Sequence, residues 1–243
     1  MKRFGLVAAV LPLTASVAWP QGIDLSWNDC GTSGAQNQAF ACETGGGGAF
    51  TMVASFSPPS GVDQYLGLSS QIDVFTDSAE LSDWWKHGSS QCRGTNGLVV
   101  GFDFTTGPFA CTDFFLGHAV GGFAYDVGFG GPERARLRVQ CAVPIDLAGP
   151  VTAGVEYYAY KVNLARSNAA GAAACAGCGT SACIVLDEIQ LFQPSDARND
   201  PELTHPAHRS FITWQPPASG PAGCPYATQT RSSTWGRVKS LYR

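Results

Sequence analysis

Between Arg134 and Val143 the side chains alternate without a break. Ala135, Leu137, Val139, Cys141 and Val143 fall on one face of an extended chain, and Arg134, Arg136, Arg138 and Gln140 on the other. A period of two marks a strand with one buried face, and it recurs along this sequence, whereas the 3.6-residue period of an amphipathic helix is scarce. The pattern predicts strands over Ile23–Trp27, Phe50–Phe56, Leu66–Phe75, Leu98–Thr105, Gly122–Phe129, Arg134–Val143, Val155–Arg166, Cys183–Gln193 and Ser210–Trp214. Gly- and Pro-rich breaks separate them, such as Ser57-Pro58-Pro59-Ser60-Gly61 and Gly130-Gly131-Pro132. Short strands punctuated in this way predict an all-β fold, a β-sandwich or jelly roll of two packed sheets. Helical spacing is confined to Ala79–His87, Cys111–His118 and Thr234–Tyr242.

The chain carries nine cysteines. An odd count leaves one sulfur over, and the alternation around Cys141 assigns that free thiol to a strand core, where it behaves as a small hydrophobe. The other eight, Cys30, Cys42, Cys92, Cys111, Cys175, Cys178, Cys183 and Cys224, predict four disulfides. Economy of loop length pairs Cys30 with Cys42 and Cys92 with Cys111; for the last four, Cys175 with Cys183 and Cys178 with Cys224 is the favoured arrangement among the open alternatives. Cys175, Cys178, Cys183 and Cys224 are also a tetrahedral zinc set in number. They lack the paired CxxC spacing, however, and an oxidising compartment turns such thiols into disulfides. No metal or cofactor is expected.

The compartment is read from the N-terminus. Lys2 and Arg3 precede an apolar run from Phe4 to about Ala18, too short to span a bilayer and of the right length for a secretory leader. Ser16 and Ala18 place cleavage after Ala18, giving a leader over 1–18, one sandwich domain over 19–233 and a C-terminal segment over 234–243. Without the leader, 13 basic residues face 19 acidic ones, a net of −6, which excludes nucleic acid as a natural partner. No transmembrane segment is expected after cleavage.

Catalytic signatures are missing. His205 and His208 lie near Asp200 and Glu202, but in a Pro-broken loop rather than on a helix that would align both rings on one metal. His87 and His118 stand alone. Asp24, Asp73, Asp103, Asp126, Asp187 and Glu188 lie in or beside strands, and nothing in their spacing selects a hydrolytic pair. In regular alternation Asp187 points into the core, so the sequence calls for a bulge that turns it outward, or for an arginine or calcium partner. Candidate binding groups are Trp84, Trp85 and Tyr157, as aromatics for a sugar ring, with at least one ring of the Trp84-Trp85 pair expected in the core for the packing an indole supplies. Tyr158 and Tyr160 share a face with Val162 and Leu164 and read as core, whereas Tyr157 reads as exposed. Arg134, Arg136 and Arg138 form a cationic stripe, either balanced by acids such as Glu156 or serving as a ridge for an anionic polymer or partner.

The blocks SWNDCG (26–31), GFGGPERAR (128–136), CAGCGTSACIVL (175–186) and TWGRVKSLYR (234–243) resemble an uncharacterised set of exported bacterial proteins that share them. The resemblance implies an extracytoplasmic β-rich protein and no particular activity, and it marks the last block as a sorting or docking tail. The expectation is a secreted or surface-displayed structural or interaction protein without catalytic activity, extracellular, periplasmic or on the cell surface. Its partner is then a polysaccharide or another surface protein. The alternatives are a carbohydrate-binding module using exposed aromatics and, at lower weight, a glycoside hydrolase with unidentified carboxylates.

Overall fold

A computed structural model of the protein describes residues 21–216 apart from 44, 45, 77 and 196–199, together with Cys224. The leader expected over 1–18 and the tail 234–243 lie outside the described residues. The strands are β1 (Gly22–Trp27), β2 (Asn37–Gln38), β3 (Ala49–Ser57), β4 (Gly67–Thr76), β5 (Leu98–Gly101), β6 (Val120–Val127), β7 (Arg134–Ala142), β8 (Tyr157–Ala165), β9 (Ala182–Phe192), β10 (Glu202–Leu203) and β11 (Phe211–Trp214). Each alternating stretch of the sequence is a strand. The two that gave no signal, β2 and β10, have two residues each and are too short to carry a period.

The strands form two sheets. The smaller runs β1-β3-β8-β5 and the larger β2-β11-β9-β4-β7-β6, with β10 beside β11 along the free edge of β9. Ile23, Leu25, Met52, Phe56, Tyr160, Val162 and Leu164 of the smaller sheet pack in one core with Leu68, Ile72, Leu137, Val139, Ile184 and Leu191 of the larger. Each such side chain contributes about 1.5–3 kcal/mol by leaving water. Rings gather around Trp214, with the centroids of Trp27, Phe40, Phe50, Trp84 and Trp85 between 4.5 and 5.9 Å from its own.

Two bulges reset the alternation, one in each sheet. On β9, Gln71 of β4 pairs with Glu188 and Ile72 with Leu186, so Asp187 is the unpaired extra residue. Ile184 and Leu186 face the core before it, Ile189 and Leu191 after it, and Asp187 is spared the interior. On β8, Ala54 pairs with Tyr160 and Ser55 with Tyr158, leaving Ala159 as the extra residue. The slip sends Tyr157 into the core against Phe56, with centroids 5.9 Å apart, and turns Tyr158 to the other face, where it stacks on Phe104 at 4.1 Å. Tyr157 is therefore buried, not exposed as regular alternation required.

Four disulfides staple the fold, but not by loop economy. Cys30 is joined to Cys111, Cys42 to Cys178, Cys92 to Cys175 and Cys183 to Cys224, across sequence separations of 81, 136, 83 and 41 residues. All four local pairings are replaced, because folding brings remote loops to within 6.3 Å at Cα while neighbours in sequence diverge. Loops of this length remove enough unfolded-state entropy to contribute about 4–5 kcal/mol each. Cys141 is a buried free thiol.

Among the described residues the short helices are 3-10 turns, Gly31–Ser33, Asp83–Trp85 and Ile145–Leu147. Ala79–His87 contains only the 3-10 turn Asp83–Trp85, because its N–H groups go to remote partners: Leu81 N to Pro132 O and Trp84 N to Ala176 O. Cys111–His118 is held extended at its start by the Cys30 bridge and by Thr112, which bonds to Glu156 O and Tyr158 N. Thr234–Tyr242 lies outside the described residues.

Candidate functional site

On the outer face of the larger sheet, β4, β7 and β6 set their polar side chains in rows. Asp73 is opposite Arg136, which is opposite Asp126. Two residues along, Gln71 is opposite Arg138, opposite Ala124; then Ser69 is opposite Gln140, opposite Gly122. The small residues in these rows leave a depression of about 590 Å³ that also meets Phe123, Phe129 and Glu188. A Cβ added at Gly122 would meet no atom within 4 Å, so that side of the hollow is open space.

The arginine stripe is neutralised by its neighbours. Arg136 donates from Nε and Nη2 to the two oxygens of Asp73, at 2.6 Å each, and from Nη1 to Gln71 Oε1 at 2.9 Å. The same Nη2 lies 3.7 Å from Asp187 Oδ2, and Phe129 covers the guanidinium at 4.2 Å. Arg138 meets Asp126 at 2.7 Å, and Arg134 meets Glu133 at 2.9 Å and lies over Phe75. Glu156, expected among the balancing acids, belongs to the smaller sheet and bonds Ser55 there. Gln71 donates its amide to Glu188. Burial, and after it the neighbouring Asp73 carboxylate with which it is hydrogen-bonded, pushes the Asp187 carboxyl up to about 8, while Arg136 pulls the other way. The bulge and the arginine, set apart as alternatives from sequence, act together.

The aromatic candidates lie elsewhere. Trp84 and Trp85 are each 1 % exposed and belong to the Trp214 cluster, and Tyr157 is in the core. A 3-10 turn wedged between packed layers buries consecutive side chains, which alternation cannot foresee. The ring that reaches solvent beside the depression is Phe129, 47 % exposed; Phe123, opposite Val139, projects to the other face of the sheet. Phe129 ends a predicted strand, and only the concavity singles it out.

Of the six acids read from sequence, the fold gathers Asp73, Asp187 and Glu188 around Arg136 and Gln71, with Asp126 on the far side of Arg138. Asp103 stays apart, its exposed carboxylate lowered by bonds from the Thr105 hydroxyl and N–H. His205 is exposed, His118 is exposed, and Asp200 caps the N–H of Gln193. His208 leaves this loop group altogether and turns to Asp24 on β1. His87 is buried against Tyr125 with neither ring nitrogen hydrogen-bonded, and burial, with Arg93 nearby, drives its pKa down to about 3.

Comparison with family models, with curated proteins and with solved structures finds no match to this chain. Among the described residues no helix is long and apolar enough to cross a membrane.

Proposed function

We propose that the protein is an exported interaction module, non-catalytic, that holds a polar partner on the outer face of its larger sheet, outside the cytosol or at the cell surface. The observation that carries this reading is the open depression over Ser69, Gln71, Gln140 and Gly122, walled by Arg136, Arg138 and Glu188. Four long-range crosslinks support an oxidising compartment, since disulfides are rare where thiols are kept reduced. The acids of this face favour binding over hydrolysis. Asp73 and Asp187 are in hydrogen-bond contact and share Arg136, whereas glycoside hydrolysis needs carboxyls about 5 Å or more apart around the scissile bond.

A second reading names the ligand as carbohydrate, on a specific observation. Phe129 offers an apolar ring face beside the amides of Gln71 and Gln140, the pairing of stacking and hydroxyl recognition that a sugar needs. Because each arginine already has a carboxylate, a neutral glycan fits this face better than a polyanion. Glycan-array binding by the mature oxidised protein tests it, with Phe129→Ala and Gln140→Ala as controls. Binding weakened by about tenfold in both variants supports the reading, in line with the loss of a contact near 1.4 kcal/mol. No signal on any glycan removes carbohydrate as the ligand, and unchanged binding by both variants removes the depression as its site.

A further inference from the structure

Asp24 lies on β1 but faces away from the sandwich core, and its side chain is nonetheless fully buried. The segment 205–209 runs along the outer edge of β1, tied by Ile23 N to His205 O, Ala207 N to Ile23 O and Leu25 N to Arg209 O. This clamp aims the N–H groups of His208 and Arg209 at Asp24 Oδ1, at 2.8 and 2.7 Å, and leaves Oδ2 3.1 Å from His208 Nδ1. Glu156 approaches from the start of β8. Ser55 donates its hydroxyl to Glu156 Oε1 at 2.6 Å, and Oε2 occupies room that exists only because residue 31 is glycine: a Cβ there would lie 2.3 Å from it.

One ligand atom each from Asp24, Glu156 and His208 lies within 4.8 Å of the others. Among the described residues neither carboxylate is paired with lysine or arginine, and Arg209 directs its guanidinium instead to Gly34 O at 3.1 Å. A completely buried carboxylate next to a second one is costly unless a cation answers them, and a half-exposed imidazole is a weak answer. We propose that Asp24, Glu156 and His208 form a binding site for a divalent transition-metal ion, with zinc the ion that best suits one imidazole and two carboxylates. Zinc at about 2.0–2.2 Å from each ligand sets tetrahedral ligand atoms roughly 3.5 Å apart, so the side chains close in on the ion from a spacing of up to 4.8 Å. Calcium, which takes six to eight oxygens, is poorly served. The bonds to Asp24 Oδ1 and Glu156 Oε1 are the outer contacts that orient metal ligands, and the exposed side of His208 is the way in. The site belongs to the smaller sheet and is independent of the face described above.

The test is isothermal titration of Zn²⁺ into the full chain with its disulfides formed, stripped beforehand with a chelator and repeated in the presence of equimolar Ca²⁺ and Mg²⁺. Wild type is expected to bind one Zn²⁺, with affinity reduced about tenfold or more in His208→Ala and Glu156→Gln and with no displacement by the other two ions. Since Asp24 is buried and Asp24→Asn can unfold the chain, the exposed His208 carries the test, with circular dichroism confirming that each variant is folded. Absence of zinc binding by wild type, or equal binding by folded His208→Ala, overturns the site. Displacement of zinc by calcium overturns the choice of ion.

Discussion

Asp73 and Arg136 stand directly opposite each other on β4 and β7, and the carboxylate meets the guanidinium fork with both N···O distances at 2.6 Å. The pair is mostly shielded, with the side chains 13 % and 22 % exposed. It also holds the bulged Asp187 and fixes Phe129 at the edge of the depression.

Arg136→Ala leaves the shielded Asp73 carboxylate without its cation. Removing one partner of a fully buried pair costs about 3–5 kcal/mol, and residual solvent screening lowers the expectation here to about 2–3 kcal/mol. Arg136→Lys keeps the charge but loses the fork and is expected to fall between Ala and wild type. Urea unfolding of the oxidised protein measures both. A loss below about 0.5 kcal/mol in Arg136→Ala, the level of an ordinary surface change, would contradict the account.

Asp187 makes a pH prediction of definite sign. Its folded pKa is raised from 3.8 to about 8, so the native state holds the proton more tightly than the unfolded chain. The resulting stability is full below pH 4 and is lost as pH rises through 8. Asp187→Asn cannot ionise, so between pH 5 and 9 the variant is expected to lose less stability than wild type. Unfolding free energies at pH 5, 7 and 9 give the comparison, and parallel curves would show that burial does not hold this proton.

His87 predicts the opposite slope. Its pKa falls from 6.5 to about 3 in the folded state, so its contribution is intact above pH 6.5 and drains away as pH drops toward 3. Between pH 7 and 5 this single group is expected to weaken wild type on the order of 2 kcal/mol more than it weakens His87→Phe. Thermal unfolding of the two proteins across that range measures the difference. Equal acid sensitivity would mean the imidazole gains a proton without unfolding the chain.

What was legible in the sequence followed from local periodicity. Arg134–Ala142 reads directly as a half-buried strand because every second side chain meets the same environment, and the two-sheet architecture follows from repeating that observation. Periodicity failed wherever the register slipped: one extra residue at Ala159 reversed the assignment of Tyr157 and moved the buried Tyr158 to the other face of the sheet, and one at Asp187 turned a carboxylate outward. Trp84 and Trp85 were misread because a single turn between two layers has no exposed side. The disulfide partners and the meeting of Asp24, Glu156 and His208 depend on contacts across 41 to 184 residues of sequence, for which no short-range signal exists.

The crosslinks underlie the fold and the placement of both surfaces and support the proposed compartment, and their connectivity can be measured directly. Proteolysis of the unreduced protein followed by mass spectrometry is predicted to recover peptides joined through Cys30 and Cys111, Cys42 and Cys178, Cys92 and Cys175, and Cys183 and Cys224. Burial pushes the Cys141 thiol up to about 12, so it is predicted to react with iodoacetamide only after denaturation. Recovery of local pairs such as Cys30 with Cys42, or alkylation of several cysteines in the native protein, would contradict the account.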